Sequence, residues 1–289
     1  MFMIKHTPEQ IEAIEKHARN IRRNIIQMLA NAGSGHTAGS LSIVDVLTCL
    51  YFDIMRYNPD DPNDPNRDLL VLSNGHVCPA LYATMAEAGV IPQSELLTLR
   101  QFGSHLQGHP ERTKLPGIET TSGPLGEGLS QAAGMAYALK YLSEPNDRHV
   151  YCIISDGEID EGNIWEAGMF AGKYRLDNLT IIVDVNNIQL SGPTKRVMPT
   201  KRKAASFSSL RLNVYHAFQG NDVKCLLQVF SDAATSPSNH LFRSDAPDVI
   251  LAYTKPGKGV SFMEDDYHWH GKVPTQDEAK RSLAELEEK

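Results

Sequence analysis

The sequence predicts an α/β fold: a parallel sheet with helices on both faces. Three observations carry that expectation. Short continuous apolar runs ("LLVLS", "HVYCIIS", "LTIIVDV", "PDVILAYT") recur without the polar alternation of a half-solvated strand. Longer segments of helical periodicity separate them. The 289 residues are 41% hydrophobic and 22% charged, enough for a substantial core in one large domain or two small ones.

The elements follow in order. "HTPEQIEAIEKHARNIRRNIIQMLANAG" opens with a cap at Thr7, Pro8 at the first helical position and Gln10 completing a capping box. Ile11, Ile14, Ala18, Ile21, Ile25 and Met28 recur at helical spacing, and Gly33 and Gly35 stop the helix. "LSIVDVLTCLYFDI" reads as a second, mostly buried helix, and "PDDPNDPNRD" as a loop. The strand "LLVLS" turns at "NGH" into a helix around "PALYATMAEAG". "LSQAAGMAYALKYL" is helical, as is "IWEAGMFAGKY" between the second and third strands, with Trp165 and Phe170 expected in the core. "TKRVMPTKRK", residues 194–203, reads as a solvated basic loop. "NDVKCLLQVFSDAAT" is a helix starting at Asn221 or Asp222, and "AKRSLAELEEK" is the last helix.

The composition excludes several function classes. No apolar stretch spans a bilayer and "MFMIKHTPEQ" lacks the apolar core of a signal peptide, so the cytoplasm is the default and no membrane role is expected. Cys49, Cys78, Cys152 and Cys225 lack metal or redox spacing and read as buried free thiols. A net charge of −7 argues against nucleic acid as a partner. An anionic ligand needs local help from helix ends, histidines or a metal.

Two stretches carry chemistry. "CIISDGEIDEGN" is a strand end, a turn and a helix start, where ligands of parallel α/β sheets sit. Gly157 lets a ligand approach the main chain, and Asp156 is placed to hold a cation. About thirty residues later comes "DVNNI" with Asn186, room for one helix and a returning parallel strand, so Asp156 and Asn186 can lie side by side. Two hard oxygen donors plus a main-chain carbonyl suit Mg²⁺. Taken alone, either stretch reads as an acidic turn capping a helix, with Glu158 and Asp160 ordinary helix-start charges. Four of the eleven histidines (His36, His76, His109 and His270) stand next to glycines that allow close approach, and imidazole exchanges protons near neutral pH. "SGPLGEG" is a turn before a helix, or a cradle for a cofactor.

Together these stretches resemble the amino-terminal, diphosphate-binding part of transketolase, within the thiamine-diphosphate enzymes. "NAGSGHTAGSLSIVDVL", "DLLVLSNGHVCPALY", "QGHPE", "GIETTSGPLGEGLSQAAGMAYA", "SDGEIDEGNIWEAGMFAGKYRLDNLTIIVDVNNIQLSG" and "WHGKVP" occur in the family's order, from about Ala30 to about Pro274. The resemblance implies a thiamine-diphosphate-binding, diphosphate-domain fold over 1–289 as a single domain. It implies thiamine diphosphate as cofactor, with Mg²⁺, for which Ca²⁺ can substitute. Asp156, Asn186 and the main-chain carbonyl of Ile188 would bind the metal. Gly123 and Gly157 would line the diphosphate, and Leu125 would pack against the thiazolium ring. His36, His76, His109 and His270 would line the channel, with His76 and His270 also touching cofactor. Glu161 matches an acidic residue at the family's dimer interface that relays charge between active sites.

The implied activity is transfer of a two-carbon ketol unit from a ketose, read as phosphorylated, to an aldose, with pentose-phosphate metabolism the default setting. The sequence departs from the family at Ser155 (usually Gly), Thr37 (usually Pro after "SGH") and Asn221 (commonly His). The family's pyrimidine-binding and third domains have no counterpart here. The expected partner is therefore a separate carboxy-terminal subunit carrying the pyrimidine-binding domain, in an α2β2 heterotetramer acting on sugars or sugar phosphates. Two other readings are an alpha-type subunit of a 2-oxo-acid dehydrogenase, which shares the metal motif, and a non-catalytic cofactor-binding or scaffold half.

Overall fold

A computed structural model describes residues 6–200, 202–235 and 244–287. Helix α1 (Pro8–Ala32) begins with the predicted capping box: Thr7 accepts from the Gln10 amide while the Gln10 side chain accepts from the Thr7 amide. It ends where Gly33 turns left-handed, φ 66°. The expected second helix is broken into α2 (Thr37–Ser42), α3 (Val44–Cys49) and a π-helical turn over Leu50–Ile54. Nearly the whole segment is buried, so its apolar residues show no face and no breaker marks the interruption at Ile43.

After the Pro/Asp loop come β1 (Leu69–Leu72), α4 (Cys78–Glu87), α5 (Glu127–Tyr141), β2 (Val150–Ser155), α6 (Gly162–Lys173) and β3 (Leu179–Val185). A small hairpin of β4 (Ile188–Gln189) and β5 (Gly192–Pro193) leads into α7 (Thr194–Val197) and α8 (Lys203–Ser209). Then follow β6 (Asn213–Ala217), α9 (Val223–Thr235), β7 (Asp248–Tyr253) and α10 (Gln276–Glu287). Helix α9 starts one or two residues later than expected, because Asp222 stays outside and accepts from the Cys225 amide at 2.6 Å. The basic 194–203 segment is partly helical rather than a loop, and its Lys201 lies outside the described residues, as do residues 288–289 of the last predicted helix.

The five main strands are ordered β1-β2-β3-β7-β6, all parallel. Alternate strand residues feed two cores, which is why the strands read as continuous apolar runs. Leu70, Leu72, Ile153, Ile182 and Ile250 join the core built with α1, α3, α4, α9 and α10. Val71, Cys152, Ile154, Ile181, Val183, Val249 and Leu251 face Leu129 of α5, Ile164 of α6 and Phe207 of α8. Trp165 packs partly buried against this second core, whereas Phe170 is 38% exposed and belongs to the surface of α6. Cys49, Cys78 and Cys152 are buried free thiols; Cys225 is only half-buried.

Candidate active site

Parallel strands deliver their carboxyl ends to one edge of the sheet, and the predicted residues collect there. Ser155 of β2 lies opposite Asp184 of β3, and the Asp156 amide donates to the Asp184 carbonyl at 3.0 Å. Asp156 and Asn186 therefore leave adjacent strands side by side. One Asp156 oxygen, Oδ2, accepts from the Asn187 amide and the Thr194 hydroxyl, each at 3.3 Å, with the Lys203 ammonium 3.9 Å away. The other, Oδ1, is buried without a partner. Burial pushes this carboxyl up to about 7, against the pull of Lys203.

Asn186 is held from behind. Its Nδ2 donates to Asp184 Oδ2 at 2.8 Å, and its Oδ1 accepts from the Ile188 amide at 3.1 Å across a turn in which Asn187 adopts φ 63°. Asp184 is fully buried and anchored by the Ser42 hydroxyl at 2.7 Å and by the Thr254 hydroxyl. An orphaned buried carboxylate oxygen and an amide oxygen from the ends of adjacent strands are hard donors of the kind that fits a divalent cation. Among the described residues no group of three or more His, Cys, Asp or Glu side chains is arranged for a metal.

A cavity of about 320 Å³ opens at these strand ends. His36, His76, His109 and His270 line it, with Gly123, Leu125, Gly157, Asn186 and Ile188. Three imidazoles form a cluster, with ring centres 4.9 Å apart for His36–His76, 5.2 Å for His76–His270 and 5.5 Å for His36–His270. Burial lowers His36 to about 4 and depresses His76 and His270, with mutual repulsion adding to the effect at His36 and His76. His36, His76 and His270 therefore stand neutral at pH 7, each able to accept or give a proton. His36 Nδ1, His270 Nδ1 and both polar atoms of Asn74 are buried without partners, and Ser122 Oγ beside Gly123 is too. Such orphans in a cavity wall mark a polar ligand's place.

Asp156 lies just behind the cavity wall. Glu161 does not line the cavity; it is exposed at the start of α6, against the Gly126 turn, where an added Cβ would come within 2.7 Å of Glu161 Cβ. A larger cavity, about 450 Å³, sits at the amino ends of the strands near His149, Asp177 and Asp248; none of the predicted site residues lines it.

The structure corrects the reading of Glu158 as an ordinary helix-start charge. It is fully buried, on the cavity wall, and accepts from Ser73, Gly126 and Ser155. Nothing in "SDGEIDEGN" separates it from its exposed neighbours Asp160 and Glu161, because its donors lie elsewhere in the chain. Lys203 is equally hidden inside a basic run. The departures from the family pattern have local roles. The Thr37 hydroxyl donates to the Lys272 carbonyl at 2.6 Å, tying the His36 loop to the His270 loop. Asn221 donates to the Ser42 carbonyl and Asp45, each at 2.8 Å, and accepts from the Lys255 amide at 2.7 Å.

The family described as transketolase, thiamine diphosphate binding domain, matches residues 14–286. The chain is 38% identical over 278 residues to one of the subunits of apulose-4-phosphate transketolase from Actinobacillus succinogenes, covering 96% of this chain and 97% of that protein. It is 38% identical over 279 residues to 6-deoxy-6-sulfo-D-fructose transketolase subunit SqwG of a Clostridium species, covering 96% and 98%. Among solved structures, transketolase from Leishmania mexicana superposes with a TM-score of 0.87 at 30% identity, over 95% of this chain and 41% of that one.

Proposed function

The chain belongs to the transketolase family through its thiamine-diphosphate-binding domain, and on that premise we propose that it is the diphosphate-binding subunit of a split transketolase. It moves a two-carbon ketol unit from a ketose to an aldose, and it acts with a second subunit that carries the pyrimidine-binding domain. The observation that carries this reading is one cavity at the strand ends lined by neutral, partly unpartnered histidines and by Asn186, next to Asp156 whose Oδ1 is orphaned behind the wall. Family membership also favours a transketolase over a 2-oxo-acid dehydrogenase subunit or a scaffold.

Thiamine diphosphate, when bound, supplies the electron sink for breaking and making the bond next to the ketose carbonyl. The chain's own residues do the rest. Asp156, Asn186 and the Ile188 carbonyl would hold Mg²⁺, or Ca²⁺ in its place, which would offset the diphosphate's charge in an acidic chain. Gly123 and Gly157 let that group approach the main chain, and Leu125 offers an apolar contact for the thiazolium ring. His36, His76, His109 and His270 orient ketose hydroxyls and carry protons. Glu161, outside the cavity, serves a contact between active sites across an α2β2 assembly.

Residues 1–289 act as one diphosphate-binding unit, and the setting is the cytoplasm; among the described residues no helix is long and apolar enough to cross a membrane. The names of the two relatives pair a phosphorylated and a sulfonated sugar with subunits of this kind. A ketose with an anionic terminus, phosphate by default, is the substrate class we assign here. Pentose-phosphate metabolism is the setting that fits a phosphorylated pentose.

The test is reconstitution. Co-purified with a subunit bearing the pyrimidine-binding domain, and given Mg²⁺ and thiamine diphosphate, the chain is expected to transfer ketol units from a ketose phosphate to an aldose. A stable complex inactive on phosphorylated, sulfonated and unmodified ketoses alike would overturn the reading.

A further inference from the structure

Glu158 has no part in the metal set or the proton path, yet an anion removed from water beside an anion-binding cavity is costly unless it is well partnered. Its partners account for its place. Oε1 accepts from the Ser73 hydroxyl at 2.5 Å and from the Gly126 amide at 2.7 Å; Oε2 accepts from the Ser155 amide at 3.2 Å. These donors lie 85, 32 and 3 residues away in sequence. Ser73 starts the loop that carries Asn74 and His76. Gly126 closes the turn that carries Gly123 and Leu125. Ser155 ends β2, directly before Asp156 and Gly157.

The three segments meet without filler. A Cβ on Gly128 would come within 2.5 Å of Ser73 Cβ, and one on Gly75 within 2.6 Å of Ser122 Oγ. Removing the carboxylate would leave a hydroxyl and two main-chain amides to find new acceptors at this junction.

We propose that Glu158 is a positioning residue: its carboxylate clasps the histidine loop, the leucine-bearing turn and the aspartate-bearing turn into one frame, so that the walls of the cofactor cavity are set before the ligand arrives. The inference rests on reading that cavity as the thiamine-diphosphate site. A helix-start charge would act only on its own turn. A clasp acts on all three segments, and its chemistry ranks the substitutions. Glu158→Gln keeps the acceptor for Ser73 and Gly126 and loses the one for Ser155. Glu158→Asp keeps the charge but is one methylene short. Glu158→Ala loses everything.

The experiment uses the full chain with two readouts: hydrogen–deuterium exchange of the ligand-free protein, and calorimetric titration with thiamine diphosphate in Mg²⁺. Glu158→Ala and Glu158→Asp are expected to speed exchange at 73–77, 122–128 and 155–158 together and to weaken cofactor binding about tenfold or more. Glu158→Gln is expected to restore protection in the first two segments and to bring the Kd within about threefold of the parent. Exchange altered only within 155–164, or cofactor affinity unchanged in Glu158→Ala, would overturn the clasp. If the alanine variant does not fold, equal affinity of the Gln and Asp variants would overturn it instead. A parent chain that binds no thiamine diphosphate either alone or with its partner subunit would sink the cofactor reading, while the exchange pattern would still judge the clasp on its own.

Discussion

Two buried aspartates at opposite ends of the parallel strands show how one side-chain type takes two jobs. Asp156 leaves Oδ1 unpartnered beside the site while Oδ2 accepts from the Asn187 amide and the Thr194 hydroxyl, so truncating it removes a candidate metal donor together with two structural hydrogen bonds. Asp156→Ala is expected to abolish Mg²⁺-dependent thiamine diphosphate binding while lowering the melting temperature of the ligand-free protein by only a few degrees; surviving metal-dependent binding in titration calorimetry would show that the metal set is wrong. Asp248, at the amino end of β7, is pushed up to about 7, first by burial, with the hydrogen bond from Asn213 opposing. Its folded value lies above its unfolded one, so its contribution to stability is complete below about pH 4 and is lost as pH rises through about 7. Asp248→Asn removes that dependence and keeps an acceptor for Asn213 Nδ2. The stability of the parent minus that of the variant is expected to fall by about 1.4 kcal/mol per pH unit in that window. Urea unfolding of both proteins across it reads the difference directly, and a flat difference would count against the assignment. At this scale the sequence is legible where one motif brings its own partners. Strand spacing predicts that Asp156 and Asn186 lie side by side, as the β2–β3 pairing places them, whereas Glu158 is misread because its meaning comes from Ser73 and Gly126.

Elements are legible in proportion to how continuous their burial is. β1, β2, β3 and β7 are runs with both faces covered, and the sequence marks each almost to the residue. β6 escapes the sequence reading: it sits at the sheet edge, five residues long, alternating buried and half-buried around Asn213 and His216. The break between α2 and α3 escapes it for the opposite reason, since uniform burial erases periodicity. Helix packing yields a paired prediction from two glycines. On α6, a Cβ at Gly172 would meet the Leu210 carbonyl oxygen at 1.9 Å, main chain that cannot swing away. On α5, Gly134 has nothing within 4 Å of an added Cβ. Gly172→Ala is expected to cost about 3 kcal/mol or more, whereas Gly134→Ala is expected to stabilise by about 0.5–1 kcal/mol through helix propensity. Guanidinium unfolding of the two variants checks both signs at once, and a harmless Gly172→Ala would mean that α6 and the loop before β6 pack more loosely than described.

At the scale of the whole molecule, apolar side chains stand at the mouth of the proposed cofactor cavity. Leu125 and Leu190 line the cavity while remaining 38% and 69% exposed, and Val197 at the end of α7 and Met198 just after it are 40% and 57% exposed. Apolar side chains left facing water at a site's mouth favour a second protein surface there. On the proposed function, Asp156, Asn186 and the Gly123 turn belong to this chain, so the binding part would be its own even where the chemistry needs a partner. A ligand that binds only the folded state stabilises it by mass action, about 2.7 kcal/mol at a hundredfold excess over Kd. For a chain of this size that is a rise in melting temperature of roughly 4–5 °C. Thiamine diphosphate with Mg²⁺ is expected to give this rise in the isolated chain, EDTA to remove it, and thiamine without the diphosphate to give none, because the anchoring groups grip the diphosphate end. Ketol transfer should stay absent until the pyrimidine-binding subunit is added. A shift of equal size without metal would place the grip in the histidine cluster instead. No shift with cofactor and metal together, in a chain that still transfers ketol units once its partner is present, would mean that the cavity is completed only at the interface.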